Sequence, residues 1–304
     1  MKKYFDIQMF AAGENNDSHV RTYQKDFKAL LQAVFKKQAY FADFFGGGIE
    51  ALDGVQHNET AFYVKTSDIP VVFGDAYSKD AATAMGAGTS KGSRFGERTE
   101  IIYVDTPVNY AWEWVFHEGI DRHTVNNNFD VAVADRLDLQ AQAKTQKFNA
   151  MHSKFIAESA GKSVALTGYT ADAVLARVNE LSKYFINIHA IGEKVAKVNA
   201  DLYNAIVDHP LATTGKASGA NIDNNTILRF KGFVIEEVPD DVMHEGAVAY
   251  AYVRGVAKAF TGINTARTVE SEDFDGVALQ GAGKAGEYIP VDNKKAVVKV
   301  TAGA

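Results

Sequence analysis

The sequence predicts an α+β chain, and three observations carry that prediction. Asn128–Ala160 has apolar residues at helical spacing, and no Gly or Pro occurs between Gly119 and Gly161. Ahead of it, from Thr60 to Phe116, the apolar runs are short, β-branched and aromatic, with a period of two toward the end. Behind it, capped helical runs alternate with short strand runs as far as the C-terminus.

Composition sets the bounds. The chain has 304 residues, 46% hydrophobic and 23% charged, enough for a sizeable core in one large or two small domains. No run of about 18 apolar residues occurs, so no membrane-spanning helix is expected. The opening Met1-Lys2-Lys3-Tyr4-Phe5-Asp6-Ile7-Gln8 lacks the continuous apolar core of a signal peptide. The absence of cysteine excludes disulfides and thiolate metal sites and fits a reducing compartment. A net charge of −6 argues against a chain that coats nucleic acid through a broad basic surface.

Residues 1–25 read as an arm. Gly13-Glu14-Asn15-Asn16-Asp17-Ser18 is polar and aperiodic, while Ile7, Met9 and Phe10 make the tip apolar. Asp26–Phe45 is a helix candidate, with Phe27, Leu30, Leu31, Val34 and Phe35 at helical spacing before the break at Gly46-Gly47-Gly48.

Ala61–Val64, Ile69–Phe73 and Ile101–Val104 read as strands. From Val108 to Phe116, large apolar residues alternate with Asn109, Ala111 and Glu113, which predicts one strand with a heavy aromatic face. Between them, Gly74–Arg98 is rich in Gly, Ala and Ser and nearly free of large apolar residues apart from Met85 and Phe95. The pattern predicts a long β-hairpin with a Gly-rich distal part. Such a hairpin is marginal alone and gains stability by lying on a partner.

In the long helix, Val133, Leu137, Ala141, Phe148, Met151 and Phe155 form the expected buried stripe. Asp130 and Asp135 near its start and Lys144, Lys147 and Lys154 further on run with the helix dipole. Asn128 suits the N-cap and Gly161 a left-handed C′ position. Beyond it, Thr170 caps a helix with Val174, Val178 and Leu181 inward, Lys194–Val198 is a short strand, and Asn199 caps a helix to about Asp208. Gly215–Asn225 is a loop. Ile227–Val238 is a strand pair turning at Lys231-Gly232, and Val248, Tyr250 and Tyr252 lie on one face of a strand. Phe274–Val300 holds short strand runs separated by Gly281, Gly283 and Gly286.

The chemistry-bearing patterns are few. His117-Glu118-Gly119-Ile120-Asp121-Arg122-His123 is the best metal candidate, yet its histidines are not four apart and Gly119 weakens a helix, so it reads as a polar strand-to-helix turn. Gly281-Ala282-Gly283-Lys284-Ala285-Gly286 matches the bare dinucleotide pattern but is followed by strand-like Glu287-Tyr288-Ile289-Pro290. It reads as a Gly-rich turn. Lys91, Arg94 and Arg98 in the hairpin are diluted by neighbouring acids and read as solvated or subunit-facing. The adjacent pairs Glu236-Glu237 and Asp240-Asp241 point apart in a strand. No catalytic residue, metal or cofactor is expected.

The order of parts resembles the major capsid protein of tailed bacteriophages, the Hong Kong 97-like capsid fold. Tyr4–Ala11 is similar to the N-termini of structural proteins from phages of Gram-positive hosts. Lys194–Ile206 resembles that family's axial-domain strand and helix, and Leu228–Pro239 its next strand pair. The resemblance covers nearly the whole chain in layout.

That resemblance implies a division into the arm (1–25), an N-terminal helix and linker (26–58), an extended hairpin loop over a neighbouring subunit (59–110), and a peripheral domain with its spine helix (111–164). An axial domain (165–270) and returning C-terminal strands (271–304) follow. It implies pentamers and hexamers of an icosahedral shell around double-stranded DNA without sequence-specific contacts, with scaffolding, portal and possible decoration proteins as partners, located in the virion after assembly in the host cytoplasm. Phe10, Tyr63, Lys91, Arg94, Phe95 and Arg98 are the expected assembly contacts. Two other readings stay open: an encapsulin-like compartment enclosing protein cargo, and a metal-dependent hydrolase using residues 117–123.

Overall fold

The computed structural model describes residues 37–52, 59–71, 73–74, 77–79, 94–95, 98–125, 128–215 and 218–303. The chain divides into two compact units, His57–Tyr110 and the residues on either side of it. No helix among the described residues is long and apolar enough to cross a membrane.

The smaller unit is the expected hairpin. β2 (Thr60–Thr66) pairs antiparallel with β3 (Val104–Asn109), with Tyr63 opposite Pro107 and Lys65 opposite Asp105. Thr66 and Thr106 face each other through hydroxyls 2.9 Å apart. The expected strand at Ile69–Phe73 does not form where it is described, and of the one expected at Ile101–Val104 only Val104 joins a strand, as the first residue of β3. The other described residues of these runs carry apolar side chains but find no ladder partner, and β-propensity alone does not hold a strand.

The larger unit begins with β1 (Ile49–Ala51), which pairs parallel with β10 (Lys258–Glu270). β10 pairs with β11 (Gly276–Tyr288), and β11 with β4 (Trp112–Asp121), giving a four-stranded sheet. A six-stranded sheet runs in the order β5 (Lys162–Leu166), β12 (Val297–Ala302), β9 (Ala247–Val253), β6 (Lys194–Val198), β8 (Phe233–Glu237), β7 (Arg229–Phe230). The helices are α1 (Phe129–Ser159), α2 (Ala171–Asn187), α3 (Ala200–Val207) and α4 (Pro210–Thr214).

Both faces of the six-stranded sheet are covered, so β9 is buried at all seven positions. One core joins Val174, Val178 and Phe185 of α2 and Leu202 and Ile206 of α3 to Val198, Ile235, Ala251 and Val300. The other joins Phe41, Phe44, Phe45, Ile156, Tyr250, Tyr252 and Val297. Val248 sits in the first core and Tyr250 and Tyr252 in the second, against the expectation that all three share a face. The capped starts form as expected. Thr170 accepts from the Ala173 amide, and Asn199 Oδ1 from the Leu202 amide at 3.1 Å. Lys231 and Gly232, both at positive φ, turn β7 into β8.

Several expectations are corrected. The helix expected over Asp26–Phe45 does not extend through 37–45, which is an irregular strap with a turn at 42–46; residues 26–36 lie outside the described residues. Phe41, Phe44 and Phe45 are each almost completely buried, and their insertion into one core wins over local helix propensity.

The strand expected from Val108 to Phe116 is split. β3 ends at Asn109, and the backbone amides of Tyr110 and Ala111 bond to different partners, Glu59 O and Ala285 O. Asn128 makes no side-chain cap. Gly161 is not left-handed. Its amide donates to Lys294 O and Val297 O, and a Cβ there would meet Lys294 O at 2.5 Å, so close approach explains the glycine. The C-terminal glycines do not separate strands either. β11 runs unbroken through Gly281, Gly283 and Gly286.

Candidate assembly surface

The hairpin unit exposes an unusual density of large apolar side chains. Phe73 is 96% exposed, Val71 89%, Phe95 85% and Tyr63 65%, and Tyr77, Ile101, Ile102, Tyr103 and Val104 are also exposed. Scattered exposed apolar residues are ordinary, but here they are concentrated in one small unit. Acidic residues outnumber basic ones over 57–110, and Lys65 pairs with Asp105 at 3.2 Å on the exposed ladder.

Of the residues expected to make assembly contacts, Tyr63 lies on the paired part of the hairpin. Phe95 packs edge-on against Tyr77 at 5.1 Å, and Arg94 O accepts from the Ser78 amide at 2.9 Å, which brings the two sides of the distal part together. Arg98 is exposed. Phe10 and Lys91 lie outside the described residues. Sequence reasoning missed Val71, Phe73 and Ile101–Val104 as surface. Their signal was present, since both runs lack the polar alternation of a half-buried strand.

The larger unit is held by buried polar groups on three elements. Asn149 of α1 clamps the strap, accepting from the Tyr40 amide at 3.2 Å and donating to Gln38 O at 2.6 Å. Ser153 meets the Tyr250 hydroxyl at 3.0 Å, and the His244 amide donates to both. His152 Nδ1 lies 2.9 Å from Glu287 Oε1, and Trp112 Nε1–H donates to both oxygens of Glu287. Burial pushes the Tyr250 hydroxyl above its ordinary value, and burial beside Asp43 pushes Tyr252 well above it, so both stay protonated donors.

A chain of ions crosses the edge of the same core. Lys197 pairs with Asp43 at 3.2 Å and with Glu236; Arg254 lies 3.7 Å from Glu236 and 2.8 Å from Glu193; Arg229 closes on Glu193 at 2.8 Å.

The sheet that carries the histidine cluster disperses it. His117 faces Gln280 at 3.2 Å, whereas Glu118 pairs with Arg136 of α1 on the opposite face. Arg122 bonds Glu270 and Asp275, and His123 lies 3.4 Å from Asp275. Among the described residues no group of three or more His, Asp and Glu is arranged to hold a metal. The Gly281–Gly286 pattern is mid-strand, not a turn and not a phosphate loop. A Cβ on Gly283 would meet the Trp114 indole at 2.6 Å, and one on Gly281 the Phe116 ring at 2.2 Å. Gly281 and Gly283 leave room for those two aromatic side chains.

No family profile matches the sequence, and no curated protein sequence matches it. Solved structures do match in fold. A structure from Mycobacterium phage Che8 superposes with a TM-score of 0.58 at 16% identity, over 90% of this chain and 95% of that one. The capsid structure of cyanophage P-SCSP1u gives 0.61 at 11% identity, over 88% and 89%. A virus-like particle from Pyrococcus furiosus gives 0.52 at 14%, over 93% and 99%. The chain has the Hong Kong 97-like capsid fold, the α+β architecture that its layout resembles.

Proposed function

We propose that this chain is a shell subunit, the major capsid protein of a tailed phage, which assembles through pentamers and hexamers into an icosahedral particle around double-stranded DNA. The exposed apolar residues of the hairpin unit carry this reading. A small unit built on one strand pair, with Phe73, Phe95, Ile102 and Tyr103 exposed beside it, gains stability when another surface covers it, and a second copy of the chain supplies such surfaces in numbers.

Within this reading 111–164 is the peripheral domain, 165–270 the axial domain, and 59–110 lies over a neighbour, with Tyr63, Arg94, Phe95 and Arg98 among its contacts. Phe10 and Lys91 are proposed as further contacts. The capsid structures among the fold neighbours support it, as does a net charge of −6, which limits trapping of the shell on its contents. Scaffolding and portal proteins are the expected assembly partners, and the virion the location.

Negative-stain electron microscopy of the purified chain, made with and without its neighbouring genes, tests the proposal. Closed shells or rings of five and six are expected. A monomer under all conditions overturns it. The contents of closed particles, nucleic acid or protein, separate a virion shell from a cargo compartment.

A further inference from the structure

Lys197 is 3% exposed, on the central strand β6, and its ammonium is shared by two carboxylates from different elements. Asp43 comes from the strap, with Nζ to Oδ1 at 3.2 Å, and Glu236 from β8. Asp43 is held from the far side by the Tyr252 hydroxyl, which donates to both of its oxygens at 3.1 and 3.2 Å. Phe44 packs edge-on against Tyr252 at 4.8 Å, so one wall of the group is aromatic. Burying an ammonium costs several kcal/mol even when paired, and removing the charge relieves that cost.

We propose that Lys197 and Asp43 condense into an intramolecular amide, fastening the strap covalently to the six-stranded sheet, with Glu236 as the proton carrier. In this step the Lys197 Nζ–Asp43 Cγ bond forms and one Cγ–Oδ bond breaks. The ammonium brings three protons; one stays on the amide nitrogen and two leave with the released oxygen as water. Glu236 takes one of them from Nζ and passes it to the departing oxygen, so it ends as it began. No oxidant, reductant or co-reactant is needed. The Tyr252 hydroxyl stands where negative charge develops on the Asp43 oxygen during attack, the position a stabilising donor must occupy. Holding amine and carboxyl in contact at the edge of a folded core supplies the effective concentration that free side chains lack. The linkage concerns one chain and is independent of the shell reading.

Intact-mass spectrometry of the full-length chain, folded, incubated at neutral pH and then denatured, decides the matter. The expected mass is one water below that of the sequence, and digestion yields a single branched peptide joining Asp43 to Lys197. Lys197→Met is expected at its full sequence mass. Glu236→Gln is expected to accumulate no linkage over the period in which the natural chain completes it. A folded natural chain that keeps its full mass overturns the proposal without recourse to any variant. So does a water loss that persists in Lys197→Met, because the Asp53-Gly54 and Asp275-Gly276 pairs lose water as succinimides with no lysine involved.

Discussion

His152 of the long helix and Glu287 of β11 meet 2.9 Å apart with side chains 8% and 2% exposed, and Trp112 donates into the same carboxylate. This buried trio ties α1, β11 and β4 together. Glu287→Leu leaves the Trp112 N–H and the imidazole unmatched and is expected to destabilise by about 3 kcal/mol, the cost of orphaning buried polar groups. Glu287→Gln keeps an acceptor for Trp112 and is expected to cost less than half as much. Urea unfolding of the three proteins measures both. Equal losses would show that the carboxylate acts by volume alone.

The glycines of β11 give a second prediction. Gly283→Val drives a branched side chain into the Trp114 indole, which already lies 2.6 Å from where a Cβ would sit. Overpacking of this kind costs about 1–3 kcal/mol. Trp114→Leu made with it is expected to recover part of that loss. A double-mutant cycle with a coupling energy near zero would sink the idea that the ring requires the glycine.

These two cases also show where the sequence was legible. The length of α1 is legible in the long run without Gly or Pro, and the caps Thr170 and Asn199 sit where their helices begin. The buried face of α1 was misread. Leu137 and Ala141 of the expected stripe are exposed, and Val133, Met151 and Phe155 are only half-buried. The residues that go inside include Asn149, His152 and Ser153, which apolar periodicity cannot find because each is buried for its hydrogen bonds. Gly281 and Gly283 are turn signals in one dimension and strand residues in three, since the rings that need them arrive from β4, far away in sequence. The Asp43–Lys197–Glu236 group was invisible for the same reason, with its members on three separate elements. The hairpin surface is half legible, because its apolar runs stand out in the sequence while their β-propensity predicts strands that do not form at 69–71, 73 or 101–103.

The strap predicts a local cost with a defined location. Phe44 is fully buried, edge-on to both Phe45 and Tyr252. Phe44→Ala is expected to destabilise by about 3–5 kcal/mol. Because the strap enters one core only, hydrogen exchange should rise first at the backbone bonds it makes, Gly255 N to Asp43 O and Ala257 N to Phe44 O. Uniform acceleration across α2 and α3 as well would mean that the strap is not a separate fastening.

Acid sensitivity follows from Glu118. Its hydrogen bond with Arg136 is the main cause holding its carboxyl below the ordinary 4.5. A carboxylate whose folded pKa is depressed adds stability that is full above its unfolded value and fades as pH falls through the folded one. With both partners partly exposed, the contribution is at most about 1 kcal/mol. Glu118→Gln is expected to lose that amount at neutral pH and to converge with the natural protein as pH drops below 4.5. A stability gap that stays constant to low pH would assign the effect to packing.

The hairpin carries the last prediction. Phe73 and Tyr103 are 96% and 63% exposed, so replacing both with Ser removes no buried contact of the isolated chain. Surface changes of this sort alter stability by no more than about 0.5 kcal/mol. In the proposed shell the same side chains are covered by a neighbouring copy, and each truncated aromatic anchor there costs about 2 kcal/mol or more. Multiplied over every contact of a closed particle, that loss exceeds what assembly tolerates. Phe73→Ser with Tyr103→Ser is therefore expected to leave the unfolding midpoint unchanged and to abolish shells in sedimentation and electron microscopy. Shells forming at the natural concentration threshold would mean that this apolar surface is not an assembly contact. An unfolding midpoint that falls instead would show that these rings already support the single chain.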